Sequence, residues 1–420
     1  MYLNVAGLLA DKGIRAVVLL VVGTWTARYL GPGEFGALSF AVVVVTFMSA
    51  ITGLGLERIV VRDMAQVPTD SATTLGTAWA LRTIAGAFSF VLLTFVALVH
   101  ADADPQRAWL VVVVAATLLF QPGDILDFWF QAQMRNAWGA LAKSSAHLLT
   151  AGARVVLILA GATVIILASV YVLEAVLFAL SLYLLYRIGI GPLRVHVSLA
   201  KARSLLYESW PLMISAVTTL IYMRMDQLLL STLHGAEELG MYSAVVPFSE
   251  APYTIAAIVV ACVAPWIAKL RVQSVEHYKK AMQKLFTSMF IAALLLSTFL
   301  AVFADELVSW ALGYDYAKSG SVLAIHALAS VFVFLGMVQA LWIVNERRPQ
   351  VALAQTLCGA FTSVVLNLLL IPKYGAMGAA SAYVIAQAAT IVGNAYSARE
   401  VFHMQVNACL PWKWVHQLAA

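Results

Sequence analysis

Apolar runs long enough to cross a lipid bilayer recur from one end of this sequence to the other. A helix that spans the hydrocarbon core needs about 20 mostly apolar residues. Twelve segments meet that requirement, and the predicted spans are 14–30, 37–57, 76–100, 108–128, 139–160, 163–187, 209–233, 240–266, 285–304, 321–344, 350–371 and 375–398. An alternative with eleven spans, in which the helices on either side of 161–163 fuse, stays open.

The overall composition excludes a soluble protein. Hydrophobic residues make up 62% of the 420 residues and charged residues only 11%, whereas a soluble domain carries about 25% charged residues. Such a chain has too little polar surface to face water. We therefore expect an all-α polytopic membrane protein, with no loop long enough to fold as a separate domain.

The loops predict how the chain is oriented in the membrane. Most of the 26 lysines and arginines fall in loops on one side, and the loops of the other side contain only Arg28, Arg107, Lys318 and Lys373. Basic loops stay in the cytoplasm, so we expect both termini there. The first span, 14–30, lacks the features of a cleaved signal peptide, and we expect it to be retained.

The two halves of the chain resemble each other. LGPGEFGALS (30–39) aligns with HGAEELGMYS (234–243) at a constant offset, and PKYGAMGAAS (372–381) is a weaker copy. Six spans per half give both halves the same orientation, as in a parallel repeat. We therefore predict a six-helix bundle over 1–190, a cytoplasmic amphipathic linker over 191–208 and a second six-helix bundle over 209–420.

No motif of a known catalytic site occurs in the sequence. It contains no P-loop, no HExxH, no CxxC and no nucleophile elbow. The three cysteines are widely spaced, which favours neither a disulfide framework nor a metal site, and the basic residues follow membrane orientation rather than a nucleic-acid patch. We expect no enzyme activity, no metal, no cofactor and no nucleic-acid partner.

Charged residues inside the predicted spans are the best candidates for functional residues, because a charge in the bilayer is costly. The basic members are Arg82, Arg154 and Arg224, and the acidic members are Asp124, Asp127, Glu174, Asp226 and Glu250. The alternative for each is a structural role. Arg154 and Glu174 lie on neighbouring predicted helices, and a structural ion pair between them is as compatible with the sequence as a functional role. For Arg82, a long side chain that simply reaches the membrane interface is equally compatible.

Two of these positions point more directly to a polar cavity. Arg224 and Asp226 stand two residues apart, so on a helix they face away from each other and need separate partners. Glu250 lies between Pro247 and Pro252, which we expect to unwind or kink the helix. Unpaired backbone in a bilayer is tolerated only where it lines protein or water. His147 and His326, also within spans, are more typical of packing residues.

A series of blocks in order resembles the O-antigen and polysaccharide repeat-unit flippases of the multidrug/oligosaccharidyl-lipid/polysaccharide exporter superfamily. The blocks are ARYLGPGEFGALSFA (27–41), GLGLERIVVRD (53–63), LDFWFQAQ (126–133), WPLMIS (210–215), YMRMDQLLL (222–230), GMYSAVVPFSE (240–250), LGYDYAKSGSVLAIHA (312–327) and LNLLLIPKYGAMGAASA (366–382). The resemblance covers nearly the whole chain.

The resemblance implies two six-helix bundles around a central cavity that opens alternately to each side of the bacterial inner membrane. It implies a substrate in which undecaprenyl pyrophosphate carries an oligosaccharide, the repeat unit of an O-antigen or exopolysaccharide, and a transport direction from the inner to the outer leaflet. A polymerase and a chain-length regulator are the expected protein partners, and a proton or sodium gradient is the expected driving force.

On this hypothesis the intramembrane charges divide into two roles. The predicted contacts to the anionic headgroup are Arg224, Arg82, Arg154 and Arg28. The predicted ion-coupling carboxylates are Asp226, Glu250, Asp127 and Glu174. The blocks contain Arg28, Arg224, Asp127, Asp226 and Glu250, whereas the roles of the others rest on their predicted burial alone.

Three alternatives remain open at the level of sequence. A cation-coupled multidrug exporter of the same fold predicts a cavity dominated by acids and aromatic residues. An integral-membrane polymerase needs a large outer loop, which this chain lacks. A peptidoglycan-precursor flippase shares the mechanism and usually has two further spans. The sequence does not name the sugar, the coupling ion, its stoichiometry or an oligomeric state.

Overall fold

The computed structural model describes residues 2–102, 104–193 and 195–410, with side chains described outside 2–16, 19, 68 and 394–397. Throughout these ranges the chain is helical, without a β-strand. Its α-helices, in chain order, are α1 Tyr2–Thr52, α2 Leu56–Gln66, α3 Ser71–Val99, α4 Pro105–Ala115, α5 Asp124–Ala132, α6 Asn136–Leu159, α7 Val164–Gly189, α8 Leu199–Gln273, α9 Val275–Val302, α10 Ala304–Ala311, α11 Ser319–Ala327, α12 Ala329–Asn345, α13 Pro349–Ser397 and α14 Arg399–Ala408. Short 3₁₀ segments adjoin several of them, including Ala116–Leu119 and Gln121–Gly123 between α4 and α5.

Eight helical stretches within the described ranges are long and apolar enough to cross a membrane. Large apolar side chains on these helices remain exposed in rows. On α3, Ile84, Phe88, Val91 and Phe95 are each more than 60% exposed and follow helical spacing along one face. Such a continuous apolar surface suits lipid rather than water. The chain is therefore a multi-pass membrane protein, as the sequence predicts.

Three of the long helices are broken by a glycine in a non-helical conformation. The breaks lie at Gly31 in α1, Gly235 in α8 and Gly375 in α13, each with a positive φ. Gly31 and Gly235 are the aligned glycines of the sequence repeat, so the repeated motif has the same local conformation in both halves. The exact number of twelve spans stays a prediction.

The predicted hairpin at 161–163 separates two helices. α6 ends at Leu159 and α7 begins at Val164, with Gly161 at φ +72° between them. The Tyr29 hydroxyl donates a 3.1 Å hydrogen bond to the carbonyl of Ala162 and holds this turn against α1. A single fused helix across 161–163 is therefore wrong.

The helix does not unwind at Pro247 and Pro252, whereas a kink there stays a prediction. The only non-helical residue within α8 is Gly235, and helix continues through both prolines. The cost of a proline is the hydrogen bond that its missing N–H cannot make, and here that loss does not open the helix. Glu250 therefore lies on continuous helix, with no unpaired backbone from an unwound turn beside it.

The chain divides into two compact units, Met1–Leu220 and Ile221–Ala420. The first has a core that includes Leu56, Leu75 and Leu126, and Leu205 from the start of α8 packs into it. The second has a core around Phe286, Phe334 and Trp342. The predicted domain boundaries at 190 and 208 stay a prediction. The helical part of the predicted linker, from Leu199, continues into the seventh predicted span without a break.

Gly55 holds α2 close to the start of α8. Its φ is +64°, and a Cβ built there lies 2.6 Å from both the Met213 nitrogen and the Ser209 oxygen. We expect Gly55→Ala to lower the free energy of unfolding by more than about 2 kcal/mol, because left-handed strain alone costs about 1–3 kcal/mol. Unfolding in mixed detergent micelles measures this. Gly33→Ala is the matched control, since nothing lies within 4 Å of that Cβ, and an equal loss in both variants contradicts the prediction.

Candidate functional site

The first unit contains a cavity of about 520 Å³ that brings several of the predicted charges together. Its polar lining comes mainly from α6 and α7, with further residues from α1, α4 and α5. The ionisable residues that line it are Asp124, Lys143, His147, Arg154, Tyr171 and Glu174. A volume of this size is typical of a small-molecule site, and its charged lining is unusual for a membrane interior.

One face of α6 supplies the basic residues that line this cavity. Lys143, His147 and Arg154 follow one another at intervals of four and seven residues, so they lie on the same side of the helix. Arg154 is 9% exposed, and its guanidinium carbon lies 4.8 Å from the centre of the Tyr171 ring. A cation over an aromatic face is stabilised without losing its charge, so Arg154 remains able to bind an anion.

Glu174 pairs with a histidine rather than with arginine. Its Oε1 lies 3.0 Å from Nδ1 of His147, whereas the partner of Arg154 is the Tyr171 ring. The structural ion pair between Arg154 and Glu174, which the sequence left open, is therefore not formed. His147 in turn is a lining residue of the cavity and has a carboxylate partner.

Arg82 is an ion-paired residue of the interior. It is 7% exposed, and Nη1 donates hydrogen bonds to Oδ2 of Asp124 at 3.1 Å and to the Gln121 carbonyl at 3.2 Å. Its guanidinium also lies 5.3 Å from the Phe128 ring. The alternative in which Arg82 simply reaches the membrane interface is wrong.

Three predicted site residues of the first unit lie outside the cavity lining: Arg82, Asp127 and Arg28. Asp127 stands three residues after Asp124 and accepts a 3.1 Å hydrogen bond from the side chain of Gln131, on its own helix. Arg28 is exposed and stands three residues before the break at Gly31. Their proposed roles in coupling and in headgroup binding stay predictions.

The second unit holds a separate polar cluster around Arg224. Nη2 of Arg224 lies 3.2 Å from Oε2 of Glu250, so Glu250 has a basic partner on the neighbouring part of α8. Asp226 is 4% exposed and accepts hydrogen bonds from the Tyr242 hydroxyl and from the backbone N–H of Gln227 at 2.8 Å. Arg224 and Asp226 thus have separate partners, as their spacing predicts.

His326 belongs to the same cluster. It is 1% exposed, one ring nitrogen lies 2.7 Å from the Ser249 hydroxyl, and the ring stacks on Tyr383 with centroids 4.4 Å apart. These contacts fit the packing role that the sequence favours for it. The ring also lies edge-on to that of Tyr242, the residue that donates a hydrogen bond to Asp226.

Sequence reasoning missed Lys143, His147 and Tyr171 as members of one site. The sequence does contain an indication of this site, because polar residues recur at helical spacing along one face of α6. The length of an apolar run, by which the spans were predicted, does not reveal such a face. Tyr242 was missed as well, because a tyrosine sixteen residues from Asp226 carries no signal of that contact. Among the described residues, no group of three or more His, Cys, Asp or Glu is arranged to hold a metal ion.

Comparisons with known proteins define the family. A model described as "Polysaccharide biosynthesis protein" matches residues 3–271. The capsular polysaccharide biosynthesis protein CapF of Staphylococcus aureus is 24% identical over 208 residues, which are 49% of this chain and 52% of CapF. The chain thus matches about half the length of this curated relative.

Solved structures show the same fold over nearly the full chain. The lipid II flippase MurJ in an inward closed conformation has a TM-score of 0.74 at 13% identity, covering 98% of this chain and 95% of MurJ. An inward-facing multidrug resistance MATE family transporter of the MOP superfamily has a TM-score of 0.70 at 16% identity, covering 93% and 96%. The membrane-spanning helical fold and the family model over more than half of its length together show that this chain belongs to the polysaccharide biosynthesis protein family.

Proposed function

We propose that this protein is a flippase for lipid-linked polysaccharide precursors. Its substrate is undecaprenyl pyrophosphate that carries the oligosaccharide repeat unit of an O-antigen or exopolysaccharide. The protein moves this lipid from the inner to the outer leaflet of the bacterial inner membrane by alternating access, with both termini in the cytoplasm. The family match supports the involvement in polysaccharide synthesis.

The observation that carries the proposal is the charge balance of the cavity in the first unit. Asp124 is paired with Arg82, and Glu174 is paired with His147. Lys143 and Arg154 line the same cavity, and neither has a carboxylate partner among the described side chains. Lys143 also acts electrostatically on Asp124, and the three cations Arg82, Lys143 and Arg154 outnumber the two carboxylates Asp124 and Glu174 whatever the charge of His147. An excess of positive charge within a membrane unit favours an anionic ligand, and a guanidinium matches the geometry of phosphate oxygens.

The charges of the second unit fit a supporting role in the same cycle. Arg224 is paired with Glu250 and Asp226 is held by Tyr242, so substrate or ion binding there requires an exchange of these partners. Asp226 and Glu250 remain the proposed coupling carboxylates for a proton or sodium gradient. A polymerase and a chain-length regulator remain the proposed protein partners.

Flipping by the purified protein tests the proposal. Proteoliposomes contain the wild-type protein and a fluorescent undecaprenyl-pyrophosphate oligosaccharide, and an ion gradient is imposed across the membrane. We expect the label to become inaccessible to a quencher outside as the lipid changes leaflet, at a rate well above that of protein-free vesicles.

The same vesicles distinguish the multidrug alternative. A protein that leaves the lipid-linked sugar in place and moves ethidium along the gradient contradicts the proposal and indicates a drug exporter. The cations of the cavity argue against that outcome, because a cationic dye gains nothing from Lys143 and Arg154.

A further inference from the structure

Three ionisable side chains of the first unit meet at one small void. His147 and Arg154 stand two helical turns apart on α6, and Glu174 faces them from α7. The void that all three line holds about 10 Å³, and its remaining lining is Val18, Val22, Thr150 and Ala151. All three side chains also line the larger cavity.

The charges around His147 come from a short and defined set of groups. From α7 it faces Glu174 and Tyr171, and on its own helix the neighbouring cations are Lys143 and Arg154. α5 supplies Asp124, which forms an ion pair with Arg82. The described residues that α1 contributes to these two spaces, Val18, Val22, Val42, Val45, Thr46 and Ser49, carry no charge.

One carboxylate therefore lies between two groups that compete for it. In the structure Glu174 is bound to His147, and Arg154 rests on Tyr171. A protonated imidazole forms a charge-assisted hydrogen bond with a carboxylate. A neutral imidazole does not supply that charge, and the other cation that lines the small void with Glu174 is Arg154.

We propose that His147, Glu174 and Arg154 form a proton-linked anion site, in which Arg154 binds an oxyanion only while protonated His147 holds Glu174 away from it. Loss of the proton frees Glu174 to pair with Arg154 and to displace the anion. The assignment of the anion as a phosphate group of the lipid carrier rests on the proposed function, whereas the proton linkage rests on the geometry of these three side chains.

Thermodynamic linkage between the proton on His147 and the bound anion is reciprocal. If protonation strengthens anion binding by a given factor, the anion strengthens protonation by the same factor. A substrate with a pyrophosphate group would then carry a proton into the cavity with it.

Sulfate is the direct probe, because it is a tetrahedral oxyanion that keeps its charge across the range in which histidine titrates. Its affinity for the purified full-length protein in detergent is measured by calorimetry at about pH 5.5 and about pH 8. We expect roughly tenfold tighter binding at the lower pH, within the usual range of coupling between two ligands. Glucuronate in a parallel titration tests whether the anion is a sugar carboxylate instead, and tight binding of glucuronate without sulfate overturns the assignment to phosphate.

Conservative variants separate the proton linkage from a general effect of pH. Glu174→Gln removes the competitor and should bind sulfate equally well at both values. His147→Gln should bind it weakly at both. His100→Gln is the matched control, since this exposed histidine hydrogen-bonds to the Val96 carbonyl at the end of α3 and does not line either cavity, and it should behave as wild type.

The result that overturns the proposal is equal affinity at both pH values in the wild type, or an unchanged pH dependence in Glu174→Gln. Monodisperse elution of each variant shows that it is folded. Because sulfate binding does not require flipping, a failure of the proposed function leaves this measurement intact, and a failure here leaves the flippase proposal standing.

Discussion

Replacing Arg154 by alanine is expected to slow flipping of the lipid-linked oligosaccharide at least about tenfold. Arg154 is a buried cation of the first unit without a carboxylate partner among the described side chains, and it lines the cavity. A charge-assisted hydrogen bond to an anion contributes about 1.5–3 kcal/mol, which corresponds to roughly a 10- to 150-fold change. The rate of label protection in proteoliposomes measures the effect.

Two further variants show whether the loss comes from binding geometry. Arg154→Lys keeps the charge but removes the planar fork, so it should recover part of the rate. Arg58→Ala removes an exposed arginine of α2 and should flip at the wild-type rate. If the lipid-linked oligosaccharide is flipped as fast by Arg154→Ala as by the wild type, Arg154 does not contact the headgroup. Lys143 would then be the cation that binds the anion.

The presence of several membrane-length helices was predictable because it depends on local sequence. Each apolar run must satisfy its backbone hydrogen bonds within itself, so its length and composition fix a helix without reference to any neighbour. The same holds for the breaks at Gly31 and Gly235, where a repeated motif contains the residue that tolerates a positive φ. Pro247 and Pro252 wrongly predicted an unwound segment, because a proline weakens a helix without always ending it.

Side-chain partners were less predictable because they depend on the rotation of each helix about its axis. Asp124 and Asp127 are three residues apart, and the sequence singled out Asp127 as the functional acid. In the structure Asp124 lines the cavity and pairs with Arg82, whereas the Asp127 carboxylate accepts a hydrogen bond from Gln131 of its own helix and packs against Gly139 of α6. Arg154 and Glu174 do lie on neighbouring helices, but the partner of Glu174 is His147, two helical turns before Arg154 on α6.

Replacing Asp124 by alanine is expected to destabilise the first unit more than any other single substitution of its charged residues. The change leaves Arg82 buried with the Gln121 carbonyl as its remaining acceptor. Removing one partner of a buried ion pair costs about 3–5 kcal/mol. Because the Asp124 side chain is 33% exposed, we expect the lower end, about 3 kcal/mol, in the free energy of unfolding in mixed detergent micelles.

A double variant and a neighbouring acid make this test specific. Arg82→Gln combined with Asp124→Asn removes both charges, so it should be clearly more stable than Asp124→Ala, since no uncompensated charge remains. Asp127→Ala removes an acid whose hydrogen-bond donor is the neutral Gln131 side chain and should cost less than about 1.5 kcal/mol. If Asp124→Ala and Asp127→Ala lose the same stability, the Arg82–Asp124 pair does not stabilise the fold, and Arg82 must be counted with Arg154 as a cation available to the substrate.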